Sequence, residues 1–598
     1  MEMLNHRQFY DMLMSGAHEI IHHQKELNDI NVFPVADGDT GNNLAYLMET
    51  IIRETRWTDP SVKTLEDVKQ ACMRGSRGNS GMIFSQFIIS MCNYLIRHDE
   101  VAATPFLDMC DASVDSAVGA VSDPKEGTVL TVMQAWVSSM KEEHHHTSNI
   151  EHLLQKSYAI TEAAMEKTKT QMEVFRINDV VDAGAKGFVH FLDGLIKRQE
   201  VPERKEGEAP ALFVDETVHA MKETDEIPFR YCSEYLVELN PHESIDTLRQ
   251  SMSEYGDSIV LVSDNQLGKV HIHTNDPADI ADMLVQKGKV VYQKVEDMRR
   301  QYESIYRRKS PIAFVVDSAC DLPKELFDHH QIHMIPLNLE VESSNYLDKV
   351  TLDAERFYEI LDAGTTQPKS SQPSLLSVET LYKSLLQQYD SVISLHVSQK
   401  LSGTFDVCKK AAEQVDPSRI HVVNSRTLSG AFGLLAYETA ADIEAGKSFE
   451  EVKEALYQRI ARSEILVSVK NLKHMIRGGR VSPLQGKVAR LLNMKPIVSV
   501  DGDGNSLLYG KTFFSSSSVG KMFKQVEAIH SRHGVKSYVL LNAGAPEAMA
   551  DCEANMKRIT GQEPLYTTSV SPVIGGNAGK GAISVAMMLN EDNARGGA

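Results

Sequence analysis

Asn31-Val32-Phe33-Pro34-Val35-Ala36-Asp37-Gly38-Asp39-Thr40-Gly41-Asn42-Asn43 is the stretch on which the reading of this chain turns. An apolar approach ends in two carboxylates separated by one glycine, followed by a hydroxyl, a second glycine and two amides. Gly38 lets the backbone curl tightly, so Asp37 and Asp39 can aim their oxygens at one point. Oxygen ligands of this kind suit Mg²⁺, a hard cation that keeps several waters and also binds phosphate oxygens. Thr40, Gly41 and the amides then supply donors where a triphosphate would lie. Taken alone, Asp-Gly-Asp is an ordinary surface turn. The surrounding sequence decides between the two readings.

Three more loops of the same type accompany it. Arg77-Gly78-Asn79-Ser80-Gly81 precedes an apolar helix over 82–91, which Ser80 is expected to cap, leaving the first backbone N–H groups to face an anion. Glu126-Gly127-Thr128-Val129-Leu130-Thr131 repeats the arrangement, as does Asp182-Ala183-Gly184-Ala185-Lys186-Gly187 after Val180-Val181. Each is common helix capping on its own; together they describe a nucleotide site assembled from helix N-termini. From Gln8 to about Lys197 apolar residues recur at helical spacing: Phe9, Met12, Leu13 and Ala17, then Leu44, Leu47, Ile51 and Ile52, then Ile83, Phe84, Phe87, Ile88 and Met91. This predicts an all-α domain with its chemistry on the loops between helices.

Beyond it, Gln199–Ala211 reads as a linker, with two prolines, a glycine and mixed charges. From Phe229 to about Met298 the period changes to two, with strands around Tyr231–Glu238, Ser258–Val262 and Lys269–His273 and a helix over Pro277–Lys287, which predicts a small α+β domain. His271 and His273 share one face of a strand, and with Cys232 they form a good Zn²⁺ set; a core cysteine beside strand histidines is the plainer alternative. Arg299–Ser310, with its short basic runs, reads as solvated linker, and so does the His144-His145-His146 tract as a polar loop. From Pro311 onward short apolar strands alternate with helices, which argues for α/β layers with mostly parallel strands and ligand sites on the loops that follow them.

Composition bounds the function classes. At 598 residues the chain should hold several domains, and its 42% hydrophobic and 24% charged content are normal for a globular protein. A net charge of −20 argues against a nucleic-acid-binding surface, which needs clustered Lys and Arg. Seven dispersed cysteines without a CxxC pair fit a reducing compartment. The start lacks the layout of a signal peptide and no apolar run reaches ~18 residues, so the expectation is a cytoplasmic protein without a transmembrane segment.

The motifs NVFPVADGDTGNN, RGNSGMIFSQ, EGTVLTV and VVDAGAKG resemble, in order and over about residues 5–198, the DhaL-type (Dak phosphatase) ATP-binding domain of bacterial fatty acid kinases. The resemblance implies an antiparallel helical barrel holding Mg-ATP at one end. Asp37 and Asp39 would bind Mg²⁺, with Asn31 a weaker ligand where the dihydroxyacetone-kinase branch has a third carboxylate. Thr40, Asn43, Ser80 and Gly81 would contact phosphates, with Gly127, Thr128, Asp182 and Gly184 around the nucleotide. FRYCSEYLVEL, YGDSIVLVS and KVHIHTNDP resemble the middle domain of the same kinases. That strengthens a zinc site at Cys232, His271 and His273, its fourth ligand being water, phosphate or another side chain.

The segments VDSACDLP, IPL, KSSQPS, SQKLSGTF, IRGGRV and MKPI resemble the DegV family of fatty-acid-binding proteins over about 311–592. The family encloses an acyl chain between two α/β lobes, and by motif position Ser370, Ser371, Ser402 and Arg480 would hold the carboxylate. Where the family carries His-x-Gly-Pro-Gly, this chain reads Asn577-Ala578-Gly579-Lys580-Gly581; Asn577 can donate a hydrogen bond but carries neither charge nor proton. The expected organisation is therefore 1–200 helical Mg-ATP domain, 212–300 middle domain and 311–592 DegV-type domain. The expected activity is phosphorylation of a bound fatty acid by ATP to an acyl phosphate, with Asp37, Asp39 and Arg480 as its catalytic group. A homodimer and an acyl-phosphate-using acyltransferase are the expected partners. Two alternatives stand beside it: a lipid-binding or sensing protein with a regulatory nucleotide domain, and a glycerone-type small-polyol kinase.

Overall fold

A computed structural model describes residues 1–33, 38–197, 227–363, 367–480, 495–512 and 515–591. Asp37 and the expected linker Gln199–Ala211 lie outside the described residues. The chain divides into two compact units, Met1–Arg299 and Arg300–Ala598.

In the first unit, α1 (His6–His22), α2 (Gln24–Asp29), α3 (Thr40–Glu54), α4 (Ser61–Gly75), α5 (Gly78–Leu95), α6 (Ala103–Ala120), α7 (Val129–His144), α8 (Ile150–Gln171), α9 (Glu173–Asn178) and α10 (Ala183–Lys197) follow one another. Two three-residue strands, β1 (Met3–Asn5) and β2 (Glu100–Ala102), pair with each other. Going round, α1 packs on α3, α3 on α4, and so on through α5, α6, α7 and α8 to α10, which returns to α1. The ring closes by close approach: Ser15 donates to the Gly194 carbonyl at 2.7 Å, and a side chain on Gly194 would come within 2.5 Å of the Gly16 Cα. Inside it Phe84, Phe87, Trp136, Phe188 and Phe191 meet edge to face, with centroids 5.5 to 6.1 Å apart.

The same unit carries a four-stranded antiparallel sheet formed by β3 (Tyr231–Leu239), β4 (Gly256–Asp264), β5 (Leu267–Thr274) and β6 (Gly288–Asp297), in the order β4-β5-β3-β6. The helix Pro277–Lys287 has the predicted bounds. The sheet packs on α4, α5 and α6 through β4. Val260 and Val262 join the core of the helical ring, and a buried Lys69–Asp264 ion pair at 3.1 Å crosses the contact.

Arg299–Ser310 is a solvated linker only at its end, where Arg307, Arg308 and Lys309 are exposed; Met298–Tyr306 is helical. Met298 and Tyr302, four residues apart, are buried, Arg300 is buried against Asp328 at 3.0 Å, and Ser304 accepts from the Tyr389 hydroxyl at 3.2 Å. The charge of Arg300 is paired within the fold, which the local sequence could not disclose.

The second unit has two lobes. One is a parallel sheet in the order Ile420–Asn424, Ser391–His396, Ile312–Asp317, His333–Ile335, with a small antiparallel sheet of Asn338–Val341, Ser344–Leu347 and Lys369–Ser371. The other is a six-stranded sheet in the order Ser506–Thr512, Lys495–Val500, Ser463–Ser468, Ile583–Leu589, Val535–Asn542, Thr567–Ser569. Only its last pair is parallel, so the expectation of mostly parallel strands holds for one lobe and fails for the other. Buried carboxylates tie the lobes: Asp321 accepts from the Ser571 N–H at 3.0 Å and Asp348 from the Val573 N–H at 3.1 Å.

Candidate functional site

The starts of α3, α5, α7 and α10 converge. A side chain on Gly78 would lie 2.5 Å from the Asn43 amide, and one on Gly184 would meet Asp182 Oδ2, the Val129 Cβ and the Ser80 hydroxyl at 3.2, 3.3 and 3.4 Å. Gly78 also has φ +56°, a region that favours glycine. The N-terminal partial charge of four helices is thereby concentrated on one place.

Individual residues take more specific positions than their motifs suggested. Asn31 is buried, and its Oδ1 accepts both the N–H of Thr40, at 3.1 Å, and the Thr40 hydroxyl. Asp182 Oδ2 accepts from Val129 N–H at 3.0 Å and Ala185 N–H at 2.7 Å, so one carboxylate caps two helices. Burial pushes its pKa up to about 6, against the pull of those two N–H groups. Thr128 donates to the Lys125 carbonyl, and the Gly127 N–H to Thr131 Oγ1. Ser80 does not cap its helix: α5 begins at Gly78, two residues earlier, and Ser80 falls inside the first turn. The Gly78 N–H instead donates to Glu234 Oε1 at 2.6 Å, a carboxylate from β3 that no motif singles out.

That bond belongs to a polar sheet face. Register places Cys232 opposite His273, and Glu234 opposite both His271 and Lys294. Alternation puts Cys232, Glu234, Lys269, His271, His273 and Lys294 on one side of the sheet. Glu234, Lys269, His271 and His273 are buried, and an inward polar face of this size is stable only when its groups answer one another. Lys269 donates to the Ser76 carbonyl just before α5; burial brings its pKa down to about 8 although Glu234 opposes this. Burial also pushes Glu234 up, but His271, Lys269 and Lys294 outweigh it and hold the carboxyl well below its usual range. Burial dominates at Cys232 and His273, raising the first and lowering the second, and both also feel the charge of Asp39, which sets the sheet face near that carboxylate.

The donor atoms of Cys232, His271 and His273 lie within 4.8 Å of one another. Both ring nitrogens of His271 are buried without a hydrogen-bond partner. Orphaned imidazole nitrogens facing a thiol are what a soft-to-borderline cation would satisfy, so these residues fit zinc. The Cys232 thiol is itself pushed well up by burial and by Glu296 and Glu234, so deprotonation requires such a cation.

In the second unit a cavity of about 720 Å³ opens between the lobes, within the range of small-molecule sites. Ser370, Ser371, Ser402, Arg480 and Asn577 all line it, and Ile465, Val467, Val469, Val498 and Val500 supply an apolar wall. The Ser402 loop is anchored underneath by buried Asp317, which accepts from the Val397 N–H at 2.8 Å beside His396 Nδ1 at 3.1 Å. Arg480 donates to the Gly478 carbonyl, and Asn577 Nδ2 to Val573 O at 3.0 Å. Lys580, standing where the family has proline, pairs with Asp362. Two residues outside the motifs, His474 and Lys470, pack against Gly579 and Gly581 of the same loop.

Three families match the chain in sequence. They are the DAK2 domain over residues 34–197, the FakA-like middle domain of fatty acid kinase over 228–305, and the DegV family, described as uncharacterised, over 311–590. The first two matches fall within residues 34–305 and the third within 311–590, so successive stretches of the chain are similar to the FakA-like and DegV families. Among curated relatives, protein YloV of Bacillus subtilis (strain 168) is 31% identical over 328 residues, covering 51% of this chain and 58% of the relative. The uncharacterized protein SAB1090 of Staphylococcus aureus (strain bovine RF122 / ET3-1) is 30% identical over 322 residues, covering 52% and 58%. The chain thus spans 58% of the length of these curated relatives. Similar solved structures include DegV, a fatty acid binding protein from Bacillus subtilis, at 29% identity with 47% of this chain and 100% of that one covered, TM-score 0.44. A DegV family protein from Thermus thermophilus, whose structure is described for fatty acid binding, is 25% identical, covering 47% and 99%, TM-score 0.43. Among the described residues no helix is long and apolar enough to cross a membrane.

Proposed function

We propose that this protein is an ATP-dependent fatty acid kinase that carries its acyl-binding module on the same chain. The observation that supports the reading most is the union, in one polypeptide, of the DAK2 and FakA-like middle domains with a DegV domain whose cavity gathers Ser370, Ser371, Ser402, Arg480 and Asn577 at its polar lining. The fatty acid carboxylate is the nucleophile. One of its oxygens forms a bond to the γ-phosphorus of ATP while the bond from that phosphorus to the bridging oxygen breaks, and ADP leaves with the electron pair. No general base is required, because a carboxylate is already ionised near neutral pH. Ser370, Ser371 and Ser402 donate to the carboxylate and Arg480 orients it, which leaves one oxygen free to attack.

On the nucleotide side the converging helix starts hold the phosphates, with Thr40, Asn43, Ser80 and Gly81 nearest and Gly127, Thr128, Asp182 and Gly184 enclosing the nucleotide. Asp39, with Asp37, would hold Mg²⁺, which when bound would neutralise charge on the transferring phosphoryl group. Cys232, His271 and His273 would hold Zn²⁺ beside it, and Lys269 and Lys294 add fixed positive charge on the same sheet face. Homodimerisation and hand-over of the acyl phosphate to an acyltransferase belong to the same proposal.

The test is ADP release with and without oleate or palmitate, with hydroxylamine present to trap an acyl phosphate as the hydroxamate. Fatty-acid-dependent ADP release with hydroxamate formation supports the reading. ATP turnover indifferent to fatty acid, with no hydroxamate, would replace it with lipid binding under nucleotide control.

A further inference from the structure

A second cluster of groups able to bind a metal lies among the helices of the first unit. It joins His23, at the turn between α1 and α2, Glu26 in α2, and His190 in α10. Their donor atoms lie within 4.8 Å of one another. The imidazoles of His23 and His190 stack at 3.7 Å between centroids and 9° between planes. We propose that His23, Glu26 and His190 form a binding site for a divalent transition metal of the zinc type, distinct from the Cys232, His271 and His273 group.

The outer contacts that a metal site requires are already in place. His23 Nδ1 is engaged by the Glu19 carbonyl at 2.9 Å, which fixes the tautomer and leaves Nε2 for a metal. Lys186, one turn before His190 on α10, holds Glu26 Oε1 at 2.5 Å, so the other oxygen, Oε2, is the one presented to His190. A ligating carboxylate steadied by a second hydrogen bond and a ligating imidazole steadied by a carbonyl are the usual supports of such sites.

His190 supplies the observation that asks for a ligand. Its Nε2 is buried and makes no hydrogen bond, although Glu26 Oε2 is only 3.2 Å away. A cation between this nitrogen and the carboxylate oxygen would be bound by both. Two imidazoles and one carboxylate leave a fourth, water-occupied position on a tetrahedral ion, a donor set suited to Zn²⁺, Co²⁺ or Ni²⁺ rather than to Mg²⁺ or Ca²⁺. Binding requires the stacked rings to turn so that their lone pairs converge, since ligand atoms in such a site sit closer than the cluster now holds them.

The site would act on the nucleotide loop through α2. Gln24 and Asn28 of that helix both donate to Asn42 Oδ1, at 2.7 and 2.8 Å, and Asn28 Oδ1 accepts the Asn42 N–H at 3.0 Å. The Gln24 carbonyl also occupies the space a side chain at Gly41 would need. A metal that pins His23 and Glu26 to α10 therefore fixes the support of the first turn of α3.

The test uses the full chain with Cys232→Ser, His271→Ala and His273→Ala, so that the other group cannot bind. Co²⁺ titration of this protein is expected to give the visible absorption of a low-symmetry cobalt site at one equivalent, and Zn²⁺ to raise its melting temperature. Adding His190→Ala or Glu26→Gln should weaken Co²⁺ binding at least tenfold, and His190→Asn serves if the alanine variant unfolds. No cobalt absorption in the starting variant, or undiminished binding after His23→Ala and His190→Asn, would overturn the proposal. Neither outcome depends on fatty acid phosphorylation.

Discussion

The two units prepare for their ligands in opposite ways. The first gathers polar groups: four helix starts and one face of a sheet meet, and the interior there holds Glu234, Lys269, His271 and His273, each with relative exposure of 8% or less. The second gathers apolar surface around empty space, with Ser370, Ser402 and Arg480 on short loops and a few hydroxyls such as Ser584 on the strands of its wall. Charge must be held rigidly to stabilise a phosphoryl group, because fixed dipoles act without reorganising. An acyl chain asks only for volume and dryness. Changes in the first unit should accordingly be felt in rate and metal affinity, and changes in the second in the placement and binding of the lipid.

The largest effects should come from removing one charge on each side. Asp39→Asn and Arg480→Ala are each expected to lower fatty-acid-dependent ADP release by on the order of 100-fold. Mixing the two variants tells whether the units of one chain serve each other. Transfer across a dimer would give recovery of roughly a quarter of wild-type activity from random pairing. A silent mixture, with mixed dimers demonstrated by crosslinking, would place transfer within one chain.

Glu234 tests whether the polar face is a single device. It caps α5 through Gly78 and stands 3.7 Å from His271 Nδ1. Glu234→Gln keeps the cap but removes the charge behind His271, and should weaken zinc binding about 10- to 100-fold. Glu234→Ala loses the cap and leaves Lys269 without its buried counter-charge, while Lys294 keeps Glu296 at 2.7 Å, destabilising the first unit by about 3 kcal/mol. Equal zinc affinity in wild type and Glu234→Gln would separate the sheet face from the start of α5.

Asp182 gives a smaller and pH-dependent effect. Losing a cap at two helices should cost about 2 kcal/mol in Asp182→Ala. Its folded pKa of about 6 lies above the ordinary value of 3.8, so the folded state binds more protons than the unfolded chain between those values. This group therefore adds stability as pH falls from about 6 toward 4 and withdraws it as pH rises through 6. The melting-temperature difference between wild type and Asp182→Asn should grow in favour of wild type over that fall. A flat difference would mean that Asp182 is ionised throughout.

The same contrast explains what can be read from the sequence. The DGDTG, RGNSG, EGT and DAG loops are contiguous, and their glycines and hydroxyls announce helix starts near an anion. Their true partners are not contiguous. Glu234 lies 156 positions from Gly78, and Val129 lies 53 positions from Asp182, so neither cap is a local pattern. Ser80 misses the capping position for the same reason: with a carboxylate arriving from another domain, α5 needs no hydroxyl at its start. Arg300 reads as solvated in the sequence because Asp328 is 28 residues away. In the second unit the parallel lobe is legible, since its strands alternate with helices. The strands Lys495–Val500, Ser506–Thr512 and Ile583–Leu589, which make the other lobe antiparallel, are short runs whose pairing depends on long-range register. The cavity is a product of that register and has no signature beyond the loops at its rim.

The smallest expected effect sharpens the view of the second unit as prepared volume. Ser584 lines the cavity opposite Val467 in the strand register, is 2% exposed, and its hydroxyl has no hydrogen-bond partner. A buried hydroxyl left unpaired costs about 1–3 kcal/mol, and a saturated chain cannot relieve it. Ser584→Ala removes that penalty while leaving a cavity slightly larger by one oxygen, so the melting temperature should rise by a few degrees and palmitate should bind no more weakly than to wild type. Ricinoleate, which carries a hydroxyl along its chain, should lose several-fold in affinity relative to palmitate in the variant if that hydroxyl reaches Ser584. A fall in melting temperature, or palmitate binding weakened tenfold, would mean that Ser584 is satisfied by bound water that the ligand retains. The wall of the cavity would then be partly polar by design, and the two units would differ less than their residues suggest.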